Sequence, residues 1–271
     1  MIIQSRTNIS APALISLVVP FYNEEAAIEA FHDAIAQLME YCKPLQFEVV
    51  CVDDGSRDQT LMHLLALHQK DQRFRVLELS RNFGKEAALT AGIDAARGDA
   101  VIPFDADLQD PPELIPQLIS EWQNGADVVL ARRSDRSSDS LLKRKTAEIF
   151  YKLHNRIAHV GLPENVGDFR LMDRSVVDAL KCLPERQRFM KGLFAWVGFR
   201  TATVDYARHP RSAGASKFSG WKLWNFALEG ITSFSTVPLR VWIYIGGISA
   251  VLTLIYASVI VLRTLITGVH V

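Results

Sequence analysis

The chain has 271 residues, enough for one large domain with a real core plus an appendage. Lys and Arg total 30 and Asp and Glu total 30, so the formal net charge is zero and a dominant nucleic-acid surface is excluded. The cysteines, Cys42, Cys51 and Cys182, are odd in number and lack metal-ligand spacing, so buried free thiols in a reducing compartment are expected.

No long apolar run precedes the first expected strand, so no secretory signal peptide is read and the soluble part is expected in the cytoplasm. From there to about residue 131, short apolar runs alternate with amphipathic stretches. Strands are predicted at residues 14–19, 47–52, 75–79, 100–104 and 127–130, and helices near 24–39, 60–69, 85–96 and 112–122. Such alternation predicts an α/β fold with a mostly parallel, Rossmann-like sheet and helices on both faces. Residues 132–206 read as more helical and more basic, with Arg132, Arg133, Arg136, Lys143, Arg144 and Lys145 close together. Residues 217–234 mix Trp221 and Trp224 with Lys217 and Lys222, a composition suited to a helix in a bilayer interface. Residues 241–262 carry no charge and would span about 33 Å as a helix at ~1.5 Å per residue, matching a bilayer core of roughly 30 Å. The expected organisation is therefore a soluble α/β domain over 1–210, a juxtamembrane flap and interfacial helix over 211–237, and a membrane segment over 238–271.

Ligands on open α/β sheets bind beyond the carboxyl ends of the strands, and the polar motifs fall there. Tyr22 and Glu24 follow the first predicted strand, Asp53 and Asp54 end the second, and Asp105 ends the fourth. Asp105 and Asp107 could hold one hard divalent cation, Mg²⁺ or Mn²⁺, with positions left open for phosphate oxygens. A loop with capping carboxylates is the plainer alternative for that pair, and a strand-to-turn exit is the plainer alternative for Asp53-Asp54-Gly55. Gly84 and Lys85 open a helix, a place where backbone can approach an anion. Asp168 stands beside aromatic and basic neighbours and could orient an acceptor, with a surface salt bridge as its rival. Arg133 and Arg136, just past the fifth strand, could hold an anionic lipid headgroup or simply form a solvated face. The Gly/Ser-rich basic stretch around Arg211 and Lys217 is either a linker or a flap closing over a diphosphate.

In this order and spacing, Val18 to Glu25, Val52 to Ser56, Ser80 to Lys85, Asp105 to Pro112, Asp168 to Arg174 and Gly214 to Phe218 resemble family-two polyisoprenyl-phosphate glycosyltransferases of the GT-A fold. The bactoprenol (undecaprenyl-phosphate) glucosyltransferases are the nearest subgroup, and dolichol-phosphate mannose synthases are more distant. The resemblance implies that Pro20, Tyr22, Glu24, Asp53, Asp54, Lys85, Asp105 and Ala106 bind the nucleotide sugar. It implies that Asp105, Asp107 and Gln109 hold the metal, that Asp107 and Asp168 serve catalysis, and that Arg133, Arg136, Arg211 and Lys217 meet the lipid phosphate. The expected reaction is inverting transfer of a hexose, with UDP-glucose favoured, to polyprenyl phosphate on the cytoplasmic leaflet of the inner membrane. Alternatives are a GDP-mannose or amino-arabinose donor, or a silent nucleotide-sugar-binding membrane subunit. Members of the subgroup carry two C-terminal spans, and one is read here; homo-oligomer formation is left open.

Overall fold

A computed structural model describes residues 12–134, 165–183, 190–207 and 237–268. The chain begins with β1 (Leu14–Phe21), α1 (Ile28–Tyr41), β2 (Gln46–Asp53), α2 (Thr60–Lys70), β3 (Phe74–Glu78), α3 (Lys85–Ala95) and β4 (Ala100–Pro103). It continues through α4 (Ile115–Gln123), β5 (Val128–Arg133), β6 (Val166–Asp173), α5 (Arg174–Lys181), α6 (Met190–Trp196) and β7 (Thr201–Tyr206), and ends in α7 (Val237–Thr267).

The strands form one sheet in the order β3-β2-β1-β4-β6-β5-β7. β1 pairs in parallel with β2 and β4, and β2 with β3. β6 runs antiparallel to both β4 and β5, and β7 pairs in parallel with β5. The sheet is thus mostly parallel with one reversed strand. β1 and β2 are nearly continuous apolar runs because helices cover both of their faces. On one face Phe31, Ile35 and Leu38 of α1, Leu64 of α2 and Leu118 of α4 pack on Ile15, Leu17 and Val49. On the other, Leu89 and Ile93 of α3, Val177 and Leu180 of α5 and Leu193 of α6 pack on Val18, Val50 and Val101. The α1 residues recur at the 3–4-residue spacing that lines one helix face. Pro112 opens the one-turn helix ahead of α4, where its missing N–H costs nothing. Asp173 caps α5, its carboxylate accepting from the Ser175 N–H (3.0 Å), while its other oxygen accepts from Trp122 Nε1 (2.8 Å).

The four helices predicted between residues 24 and 122 are present, and the first four strands begin or end within a residue of expectation. Three expectations fail. The fifth strand runs on to Arg133, three residues further than expected. Among the described residues of 132–206, the unforeseen strands β6 and β7 stand beside the helices α5 and α6. β7 alternates Thr201, Thr203 and Asp205 outward with Ala202, Val204 and Tyr206 inward, a half-buried edge pattern. Cys42 and Cys51 are buried free thiols as expected, but Cys182 is exposed.

β5 ends at Arg133 and β6 begins at Val166. The two ends are joined, since the Arg133 N–H donates to the Asn165 carbonyl (3.0 Å). The expected interfacial helix at 217–234, the basic residues 136–145, and Arg136, Arg211 and Lys217 lie outside the described residues. Within α7, Arg240–Ile266 is long and apolar enough to cross a membrane, and none of it is buried against the rest of the protein.

Candidate active site

The exit of β2 carries two adjacent carboxylates with opposite environments. Asp53 is buried, and its Oδ2 accepts from the Ser56 N–H (3.1 Å). Its Oδ1 is buried with no hydrogen-bond partner, an acceptor left open at a strand end. Asp54 is equally buried, but Oδ1 accepts from the Phe83 N–H (2.7 Å) and Oδ2 from the Gly84 N–H (2.9 Å). Gly55 adopts φ +66°, and a Cβ there would stand 2.5 Å from the Arg81 carbonyl carbon. Asp54 and Gly55 therefore clamp the Arg81–Gly84 turn. Gly84, at φ +97°, launches α3, and this places Lys85 at the first helical position.

The turn after β1 is tied to the same region. The Asn23 N–H donates to Ser56 Oγ (3.0 Å), and the Glu24 N–H to Thr60 Oγ1 (2.9 Å). Asn23 sits at φ +52°, which asparagine tolerates better than most side chains. Pro20, Tyr22 and Glu24 are half-buried along this turn.

Past β4, Lys85 joins two motifs that are far apart in sequence. Its ammonium lies 2.7 Å from Asp105 Oδ1, 3.1 Å from Asp105 Oδ2 and 2.9 Å from Asp168 Oδ2. Burial alone would lower the lysine pKa. The charges and hydrogen bonds of Asp168 and Asp105 outweigh it and hold the pKa raised, so the ammonium stays charged. Asp168 reaches this point because β6 is reversed: its first residues lie beside the last residues of β4. Its backbone is held in turn by Arg170, which donates to the Gly167 carbonyl (2.6 Å) and stacks over the Phe194 ring at 4.2 Å.

The loop from Asp105 to Asp110 is internally braced. Asp107 Oδ1 accepts from the Gln109 N–H (3.2 Å), Ala106 is buried in the core, and Leu108 holds φ +52°. That conformation is strained for a leucine and persists because the surrounding loop fixes it. Gln109 and Asp110 are buried. Tyr206 donates its phenolic hydrogen to Asp110 Oδ1 (2.5 Å) and accepts from Arg133 Nε (3.2 Å).

Of the residues selected from sequence, Lys85, Asp105 and Asp168 meet directly. Asp53 and Asp54 share the neighbouring strand exit, and Arg133 stands beside Asp110 (3.8 Å) and Gly167. Sequence reasoning overlooked Tyr206 and Arg170. Alternation over 201–206 would have pointed Tyr206 inward; Arg170 lies inside the Asp168 to Arg174 segment, a basic neighbour of Asp168 given no role of its own.

Asp105, Asp107 and Gln109 offer only hard oxygen donors, which fit Mg²⁺ or Mn²⁺. Among the described residues, no group of three or more His, Cys, Asp or Glu side chains could enclose a metal alone. This donor set fits a cation that takes its remaining ligands from a bound diphosphate. Asp105 is already paired with one cationic group, the Lys85 ammonium.

A mixed sheet with carboxylates gathered beyond its strand ends is the GT-A architecture. The chain superimposes with a TM-score of 0.56 on glucosyl-3-phosphoglycerate synthase from Mycobacterium tuberculosis, solved with Mn²⁺, UDP and phosphoglyceric acid. The two are 23% identical, and the match covers 81% of this chain and 76% of that one, a likeness of fold. The family description "Glycosyl transferase family 2" matches residues 16–181. The chain is 58% identical over 254 residues to the bactoprenol glucosyl transferase of Shigella phage SfV, covering 94% of this chain and 82% of that protein. It is 56% identical to the prophage bactoprenol glucosyl transferase homolog of Escherichia coli K12, covering 94% and 83%. The chain belongs to glycosyl transferase family 2.

Proposed function

We propose that the chain transfers glucose from UDP-glucose to a polyprenyl phosphate, with inversion at the anomeric carbon, on the cytoplasmic leaflet of the inner membrane. The observation that carries this reading is the meeting of Asp105 and Asp168 at one ammonium, which brings a diphosphate-side motif and an acceptor-side carboxylate together. The choice of glucose and bactoprenol follows the names of the relatives that share more than half of the sequence. The length and apolarity of α7 support membrane attachment.

In this reading Asp53 offers its open oxygen to an N–H of the nucleobase, and Tyr22 and Pro20 flank it. Asp105, Asp107 and Gln109 would hold a divalent cation, which would supply positive charge to the departing diphosphate. Lys85 turns from Asp105 toward the diphosphate oxygens. A phosphate monoester has a second pKa of about 6, so the acceptor arrives ionised and needs no general base. Asp168 therefore orients the acceptor and the sugar. A bond forms from the lipid phosphate oxygen to the anomeric carbon as the bond from that carbon to the β-phosphate oxygen breaks. UDP leaves with the electron pair, and no proton transfer is needed at the reacting atoms.

The test is sugar transfer by membranes containing the protein, with undecaprenyl phosphate and radiolabelled UDP-glucose, GDP-mannose or UDP-galactose offered separately, with and without EDTA. An acid-labile lipid product from UDP-glucose alone, abolished by EDTA, is expected. Product from another donor would reassign the sugar. Absence of lipid product from a folded, inserted chain would overturn the reaction.

A further inference from the structure

One buried side chain bridges the two halves of this site. β5 and β7 pair in register, with Arg133 opposite Tyr206, so both project from the last rung of the two strands. The Tyr206 ring is held edge-on against Phe169 (centroids 6.2 Å apart), and its hydroxyl lies between two charged groups. It donates to Asp110 Oδ1 at 2.5 Å and accepts from Arg133 Nε at 3.2 Å. Burial and the Asp110 charge push the phenol pKa up to about 12 against the opposing pull of Arg133, so the hydroxyl keeps its proton at working pH.

The consequence lies in which nitrogens remain for a ligand. With Nε committed to Tyr206, the Arg133 fork is fixed in plane. Nη2 stands 3.8 Å from Asp110 and beside Gly167, where an added Cβ would come within 3.4 Å of it. That places the fork next to the start of β6, one residue from Asp168. A planar guanidinium binds a phosphate through two parallel hydrogen bonds only when its orientation is set. Left free, a long arginine side chain has rotamer freedom to lose on every binding event.

We propose that Tyr206 is a positioning residue for the acceptor: its hydroxyl, braced by Asp110, locks the Arg133 guanidinium in the orientation that receives the acceptor phosphate. This rests on the acceptor being a lipid phosphate and on Arg133 meeting it. Asp110 closes the same loop that carries Asp105 and Asp107, so one hydroxyl ties the acceptor side of the site to the diphosphate side. Tyr206 is the last residue of β7.

The experiment uses the full chain in membranes and the substitution Tyr206→Phe, which deletes the hydroxyl and keeps the ring against Phe169. Initial rates are measured while undecaprenyl phosphate and UDP-glucose are varied in turn. The KM for the lipid phosphate should rise about tenfold, the scale of one hydrogen bond to a charged group, while the KM for UDP-glucose stays within about twofold. Loss of function through Arg133 must also be non-additive: in an Arg133→Ala background, Tyr206→Phe should change the lipid KM by less than about twofold. A thermal melt of each variant separates this from unfolding, and Arg133→Lys, which keeps charge but loses the Nε donor, should reproduce the lipid KM defect with Tyr206 intact. Unchanged lipid KM in both Tyr206→Phe and Arg133→Lys overturns the proposal. A rise in the UDP-glucose KM instead assigns Tyr206 to the diphosphate loop and also overturns it. If the wild-type chain forms no lipid-linked product, the functional reading fails and takes this inference with it; normal wild-type turnover with unaltered variants sinks the positioning role alone.

Discussion

The two halves of the sheet build the site by opposite rules. In the first half, β1, β2 and β4 run in parallel, and each delivers polar residues just past its carboxyl end: Tyr22, Asp53 and Asp105. In the second half β6 is reversed, so Asp168 comes from the beginning of a strand and is carried to the same mouth by antiparallel pairing. The first half obeys a general rule for α/β sheets, which makes its ligand side visible without any structure. The second half exists as a site only after β6 has been paired in reverse. One ammonium, from Lys85, joins the two.

The largest expected effect tests whether both halves are needed. Asp105→Asn, in the first half, and Asp168→Asn, in the second, should each lower transfer by about 10²–10³-fold, the scale of losing one preorganised charge contact in a transition state. Full activity in Asp168→Asn, read with radiolabelled donor, would make β6 a scaffold and break the comparison. Next comes a contrast inside the first half. Asp53→Asn should raise the KM for UDP-glucose by about tenfold, since its open Oδ1 is the group awaiting a donor. Asp54→Asn should instead lower the melting temperature, costing about 1–3 kcal/mol, because an amide cannot accept from both the Phe83 and Gly84 N–H groups.

A smaller effect is expected at the joint itself. Lys85→Met should tighten Mn²⁺ binding to donor-free protein by about fivefold, as read by the EPR signal of free Mn²⁺, because one like charge near ~4 Å is removed. The same substitution should slow transfer. Metal binding that does not change would show that the ammonium leaves Asp105 without penalty.

The smallest effect on activity is expected at the far end of the strands. Glu48 is buried there and accepts from Ser16 Oγ (2.6 Å), the Arg97 N–H (2.6 Å) and Arg75 Nη1 (2.9 Å). Burial raises its pKa, but these hydrogen bonds outweigh it and hold the value below the ordinary 4.5. A depressed carboxylate stabilises the fold above its unfolded pKa and loses that contribution as pH falls through the folded value. Glu48→Gln should therefore lower the melting temperature at pH 7, with the gap from wild type closing as pH falls below the ordinary carboxylate range, and leave kcat/KM unchanged. A fall in kcat/KM would show that the two ends of the sheet are coupled.

These contrasts follow the limits of what the sequence reveals. β1, β2 and β4 are legible because burial on both faces demands unbroken apolar runs, and Asp105 and Asp107 stand out against such a run. β6 is not legible in that way: Asp168 and Arg170 interrupt it for the sake of the site, so its apolar pattern is too sparse to announce a strand. β7 is an edge strand whose outward Thr201, Thr203 and Asp205 dilute its inward apolar positions. Asp53 and Asp54 look interchangeable in sequence. Their difference arises only from which oxygen meets the Arg81–Gly84 turn, a contact some thirty residues away in the chain. The Lys85–Asp168 pair is more remote still, since it depends on the register of β6 against β4.

The hydrogen bond between Arg133 and Asn165 has a separate bearing on how such enzymes diversify. It closes a stem whose two feet are the last residue of β5 and the residue before β6, beside Gly167 and Asp168. Lengthening or rewriting an excursion from a fixed stem costs chain entropy that grows only with the logarithm of its length. Because the Arg133–Asn165 bond runs from backbone to backbone, the stem is indifferent to the side chain at 133, proline excepted: the residue there can change while the two strand ends stay joined.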